Sequence, residues 1–193
     1  MKADGILRVT EALRDRLEHA LLSSGVPGTV FVGPLDDADA SGAALILFLY
    51  RVAPNPSLRN REHRVATGGT PPLEVFLNSL PLDLYFLVTV GTKPGASEET
   101  PLRALGFVIQ ELQEAPELTG ASVSQETVRV SLEPLTTEEA SRIWALFPTA
   151  NYRTSVAYLA TPVWIDPPKP EPVATRVIED DRLTGQRAVG ATP

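Results

Sequence analysis

The sequence predicts an α+β fold, in which a single mixed, largely antiparallel sheet packs against three helices and an extended C-terminal tail follows. Residues 80–90 carry the first observation, because their apolar side chains alternate and share one face of a long strand. The second observation is that helical and strand patterns are interspersed along the chain. The third is the change to Pro-rich composition after residue 165.

The first part of the chain predicts one helix and two strands. Apolar residues recur at helical spacing over residues 5–23, and Gly25 marks the end of this helix. Residues 29–32 form a short strand. Residues 43–52 are apolar at almost every position, which indicates a central strand covered on both faces.

The middle of the chain contains a long loop, the strand 80–90 and a second helix. Residues 53–72 are rich in Pro, Gly and charged residues, so they are predicted to be a loop that is functional or mobile. Thr100 and Pro101 are typical of the cap and first residue of a helix, and Pro116 follows its end. Residues 126–132 predict another strand.

The last part of the domain predicts a helix and a long strand. Thr136 and Glu139 form a capping-box pattern at the start of helix 137–147. Strand 152–165 contains Pro162, so its second half is expected to be bulged or at a sheet edge. The predicted order is therefore α-β-β-β-α-β-α-β.

The composition divides the chain into an α+β domain, residues 1–165, and a Pro-rich extended C-terminal arm, residues 166–193. Five prolines between 162 and 172 predict a stiff polyproline spacer at the start of the arm. The β-prone side chains Val173, Val177 and Ile178 follow it. They either add as a strand to a neighbouring sheet edge or belong to a disordered terminus.

Charge and composition exclude several classes of protein. The chain has 193 residues, a formal net charge of -7 and no cysteine. The negative charge disfavours nucleic-acid binding, and the absence of cysteine excludes a disulfide scaffold. We expect no membrane partner, because no apolar run approaches roughly 20 residues. The charged N-terminal helix does not resemble a signal peptide, so we expect the protein in the cytosol unless an assembly exports it.

No motif indicates catalysis, a cofactor or a metal. His19 and His63 lack ligand partners at helical spacing, so both are predicted to be surface residues. Residues 37–42 copy the first half of a calcium loop, but Phe48 stands where the bidentate Glu is needed. Asp83 is expected to have a structural role, either salt-bridged or facing solvent. The predicted catalytic, cofactor and metal sites are therefore none.

Charged residues of opposite sign are segregated along the chain, which favours head-to-tail association over a single charged ligand. The alternative is that both groups are ordinary solvated loops. Trp164, on a late strand, is the tryptophan expected to contact a partner. The charged candidates for an interface are Arg51, Arg59, Arg61 and Arg64 in one group and Asp36, Asp37 and Asp39 in the other.

A succession of segments carries a family resemblance. These are LPLDLYFLVT at 80–89, Leu105-Gly before a helix, LTTEEASRIW at 135–144 and YRTSVAY at 152–158 leading into Pro162-Val. In order and spacing they resemble the cap (tail-terminator) proteins of phage-tail-like contractile injection systems. The resemblance covers about residues 5–165, is most specific between 80 and 163, and includes no catalytic residue.

The resemblance implies a structural cap and not an enzyme. Such caps form a ring, expected to be a homohexamer, that ends the inner tube and the sheath and anchors the last sheath layer. The implied partners are the inner tube protein and the sheath protein, in a particle assembled in the cytoplasm and released extracellularly. Two alternatives stay open: a baseplate or adaptor binding module with residues 53–72 as a lid, and a hydrolase whose site is formed by distant residues.

Overall fold

The computed structural model describes residues 1, 3–66, 73–91 and 99–171. Their helices are α1 (Gly5–Ser24), α2 (Glu99–Glu114) and α3 (Thr137–Trp144). The strands are β1 (Val30–Val32), β2 (Leu45–Pro54), β3 (His63–Ala66), β4 (Leu73–Phe76), β5 (Leu80–Val90), β6 (Glu117–Thr119), β7 (Thr127–Glu133) and β8 (Ser155–Ile165).

The main sheet has six strands in the order β1-β2-β5-β8-β7-β6. The β1–β2 pair is parallel and the other pairs of this sheet are antiparallel. The predicted α+β class is therefore confirmed. Two features differ from the prediction: residues 53–72 are not entirely loop, because β3 lies within them and pairs with β4 as a separate hairpin, and β6 adds an edge strand.

Helices α1 and α2 cover one face of the sheet and form the main core with it. The alternating residues predicted for β5 lie on this face, where Leu84, Phe86 and Val88 are fully buried. Burying an apolar side chain of this size stabilises the fold by about 1.5–3 kcal/mol. The strand 80–90 is thus central, as its pattern indicates.

Helix α3 covers part of the opposite face. Leu87, the apolar exception to the alternation of β5, packs there with Ile143, Trp144 and Phe147. The predicted capping box fixes the start of α3: the Glu139 backbone N–H donates to Thr136 Oγ1 at 3.2 Å, and the Thr136 N–H donates to Glu139 Oε2 at 2.9 Å.

The bulge predicted at Pro162 is present. Leu82 of β5 lies opposite Val163 of β8, whereas Leu84 lies opposite Ala160, so β8 carries one extra residue between them. Asp83 sits at this bulge, and its predicted environment was wrong. It is buried and forms no salt bridge with the described residues, and it accepts hydrogen bonds from Asn55 Nδ2 at 2.9 Å and from the Thr161 hydroxyl.

Candidate protein interface at the two ends of the sheet

Strand β2 separates the two charged groups that the sequence singles out. The turn that holds Asp36, Asp37 and Asp39 precedes β2, and the loop that holds Arg59 and Arg61 follows it. Ten residues of extended chain span about 33 Å. The structure therefore places the acidic and basic groups at opposite ends of the sheet. We call these the acidic end (residues 36–39 and 145–154) and the basic end (residues 55–64).

At the basic end the arginines point into solvent. Arg59, Arg61 and Arg64 are exposed, and Arg64 bonds Glu62 at 2.9 Å. Arg59 and Arg61 have no acidic partner among the residues that the structure describes. Arg51 lies apart from them on β2, where its guanidinium stacks over the Tyr85 ring at 4.8 Å. The exposed arginines can therefore bind carboxylates of another chain without breaking a strong internal contact.

At the acidic end the three aspartates are exposed on a turn that is held by contacts with α3 and with the segment that follows α3. Asp37 Oδ1 accepts the Asp39 backbone N–H at 2.9 Å, which closes a short 3-10 turn. Leu35 is buried against α3. Asp36 accepts a hydrogen bond from Thr149 Oγ1 at 3.4 Å. The turn is thus joined to the connection between α3 and β8.

Sequence reasoning missed the contribution of this connection to the acidic end. Leu146 and Tyr152 are 64% and 69% exposed, although both are large apolar side chains. Thr154 C=O accepts hydrogen bonds from the Val90 N–H and the Thr89 hydroxyl, so the segment lies beside the last residues of β5. A single exposed tyrosine or leucine is common on protein surfaces. What makes these two residues candidates for an interface is that they lie close to the charged turn.

The prediction that His63 is a surface residue was wrong. The residue is 7% exposed and its ring stacks on Trp164, with ring centroids 4.6 Å apart and an interplanar angle of 8°. Its Nδ1 lies 2.7 Å from Asp166 Oδ1, and its Nε2 lies 3.5 Å from Glu126 Oε2. Since Asp166 is 103 positions away along the chain, no local pattern reveals the contact.

His63, Glu126 and Asp166 offer ligand-type atoms that all lie within 4.8 Å of one another, a spacing compatible with a metal centre. Both carboxylates already bond the amino group of Met1, and Asp166 also accepts the Ser79 hydroxyl at 2.7 Å. The amino group of Met1 therefore already supplies the cation that the two carboxylates share. The geometry is that of a buried cluster in which the amino group of Met1 and the His63 ring lie between two carboxylates.

The electrostatics of Asp166 agree with that interpretation. Burial of its carboxyl raises the pKa, but hydrogen bonds from His63, the amino group of Met1 and Ser79 outweigh burial and hold the pKa of Asp166 below its ordinary value. The cluster ties the β3–β4 hairpin to the residue that follows β8.

Of the other predicted interface residues, the structure describes Trp164 but not the three residues after position 172. Trp164 is 9% exposed, because its ring stacks on His63, so only an edge of it reaches the surface. Val173, Val177 and Ile178 lie outside the described residues. The first residues of the arm follow the hairpin, and the Glu171 N–H donates to Val75 C=O at 2.8 Å. None of the helices that the structure describes has the length and apolar character of a membrane span.

Comparison with known proteins finds one family and a group of solved structures. The sequence model of the Pvc16 N-terminal domain matches residues 8–179. The fold is similar to the sheath/tube terminator of PVC, an extracellular contractile injection system, in its extended state, with a TM-score of 0.63 and 15% identity. It is also similar to the tube terminating cap of the anti-feeding prophage, AFP, with a TM-score of 0.55 and 17% identity.

These alignments cover most of this chain and a smaller share of the terminators. They include 96% and 93% of this chain, but 65% and 59% of the PVC and AFP chains respectively. No curated protein sequence matches the chain. At these identities the structural comparisons show a shared fold, and they agree with the resemblance found in the sequence.

Proposed function

Because the chain belongs to the Pvc16 N-terminal domain family, we propose that it terminates the inner tube and sheath of a phage-tail-like contractile injection particle. Six copies form a ring at the distal end of the particle, and this ring anchors the last sheath layer. The observation that carries the proposal is the fold shared with two tube terminators over nearly the whole chain.

The segregated charges supply a physical basis for the ring. A ring forms when one surface of each copy binds a different surface of the next copy and the rotation closes. Asp36, Asp37 and Asp39 at the acidic end complement Arg59 and Arg61 at the basic end of a neighbour. The ends lie about 33 Å apart along the sheet, so one copy contacts two neighbours without self-pairing.

The remaining contacts are with tube and sheath. Arg51 and Arg64 are exposed for tube or neighbour contacts, and the edge of Trp164 contributes beside them. The arm, residues 166–193, reaches the sheath protein by strand addition through Val173, Val177 and Ile178. The hydrogen bond from Glu171 to Val75 supports an arm that starts from the hairpin.

The proposed function is structural and requires no enzymatic step, nucleic acid or membrane. Termination acts by binding the growing end with one surface and offering no further polymerising surface on the other. Assembly takes place in the cytoplasm, and the completed particle is released with the cap in place.

The cap role is tested by deleting the gene for this chain in the producing strain and measuring particles by electron microscopy. We expect tubes of variable length and sheaths that contract prematurely. Gold labelling of the tagged protein separates the cap from a baseplate or adaptor module, since a cap labels the end opposite the baseplate. Particles of normal length and stability, or label at the baseplate, would contradict the proposal.

A further inference from the structure

Arg153 is a partly buried cation without a counter-charge among the residues that the structure describes. It lies in the connection between α3 and β8, and its Nη1 atom is sealed from solvent and has no hydrogen-bond partner. No carboxylate of the described part of the chain lies within ion-pair distance of its guanidinium. Other arginines of the structure, such as Arg14 and Arg142, bond carboxylates instead.

This arrangement is unfavourable in the isolated chain. Burying an arginine nitrogen without a partner forfeits its hydrogen bonds to water and gains nothing in return. Desolvation by burial lowers the pKa of Arg153, with no compensating effect from a neighbouring acid. Buried charges are normally paired, so an unpaired one calls for a partner from elsewhere.

The surroundings of Arg153 have the composition of an interface. The adjacent Tyr152 is largely exposed, and so is Leu146 in the same connection. Tyrosine and arginine in partly desolvated positions are the residues that most often dominate binding energy at protein interfaces. Thr149, in the same segment, bonds Asp36 of the acidic turn. Arg153 therefore belongs to the acidic end.

We propose that Arg153 receives a carboxylate from the neighbouring copy of this chain when the ring forms. The inference rests on the proposed ring, in which the basic end of the next copy faces this surface. Glu62 is the exposed carboxylate in the loop between Arg61 and Arg64, and among the described residues it bonds only Arg64. It is the acid that the neighbour brings to Arg153.

The test uses the full chain with Arg153→Met, which keeps the apolar length of the side chain and removes the charge. Removing one member of a buried interfacial charge pair is expected to weaken association of the subunits roughly 30-fold or more. Sedimentation velocity and mass photometry over a concentration series measure the ring. Arg142→Met is the matched control, because Arg142 is exposed and bonds Glu138 within α3. We expect this control to assemble as the wild type does.

Thermal unfolding of the unassembled chain gives the second readout. Since Arg153 has no acidic partner in the described part of the chain, Arg153→Met should unfold at the wild-type temperature or above it. A clear drop in that temperature would show that an acid of the same chain already pairs with Arg153, and it would overturn the inference. Glu62→Gln should weaken assembly to a similar extent, and combining the two changes should add little further.

The outcomes separate this contact from the ring itself. Wild-type rings that persist unchanged in Arg153→Met would contradict the contact alone and leave the proposed ring standing. Fully additive effects of Arg153→Met and Glu62→Gln would also contradict it. A wild-type chain that stays monomeric at all concentrations would contradict both.

Discussion

Replacing Asp166 by Asn tests whether the buried ion cluster stabilises the fold. The carboxylate bonds His63, the amino group of Met1 and Ser79, and its side chain is almost completely buried. Asn keeps the shape and removes the charge, so among the described residues the amino group of Met1 then keeps Glu126 as its remaining carboxylate partner. Removing one member of a buried ion pair costs about 3–5 kcal/mol. Since Ser79 can still bond the amide, we expect about 3 kcal/mol.

That loss corresponds to a fall in unfolding temperature of roughly 6–12 °C, taking about 2–4 °C per kcal/mol for a chain of this size. Urea titration and differential scanning calorimetry at pH 7 measure it. Asp39→Asn is the matched control, because Asp39 is exposed on the acidic turn and its side chain bonds nothing in the described structure. Equal stability of the two variants would refute the assignment of the cluster as a stabilising contact.

The pH dependence of unfolding gives an independent check that the ionised Asp166 carboxylate stabilises the fold. The pKa of Asp166 is lowered in the folded chain, because its hydrogen bonds to His63, Met1 and Ser79 outweigh the effect of burial. Its stabilising contribution is therefore present above the ordinary carboxyl pKa and is lost as the pH falls through the lower, folded value. The stability difference between wild type and Asp166→Asn should be full at pH 7 and shrink below about pH 4. A difference that grows on acidification would contradict this account.

Three further predictions follow from the fold and the interface. Replacing the three exposed arginines of residues 59–64 by Glu should weaken ring assembly, and the effect should diminish at high salt. Arg103→Glu on the exposed side of α2 is the control. If the triple variant assembles as the wild type does, the loop is excluded from the interface. Thr136→Ala should lower the free energy of unfolding by about 1 kcal/mol, because the capping box of α3 is lost. Gly91→Ala should destabilise by about 1–3 kcal/mol, since the new Cβ would lie 1.9 Å from the Ala43 carbonyl oxygen, whereas Gly106→Ala meets open space and should not.

The elements with a strong local pattern could be predicted from the sequence. The strand 80–90, the capping box at Thr136 and the bulge near Pro162 each depend on residues that are neighbours along the chain. Alternation, capping and the missing proline donor act within a few residues, so they are visible without a structure.

Short or mixed patterns were less informative. Strands β3, β4 and β6 have three or four residues each and depend on their pairing partners. In α2, Leu102 is half exposed, whereas Ala104, Val108 and Leu112 form a buried row at i, i+4 spacing. A helical pattern with two adjacent apolar rows does not say which row meets the sheet.

The sequence by itself determined the α+β class, the main strands and helices, the segregation of acidic from basic residues and the family resemblance. Only the tertiary structure decided that the charged groups lie at opposite ends of β2, that His63 is buried beside Asp166, and that Arg153 has no partner within the described chain. Local preferences act between near neighbours along the chain. Burial and ion pairing join residues a hundred positions apart, and these depend on how the sheet and its helices pack.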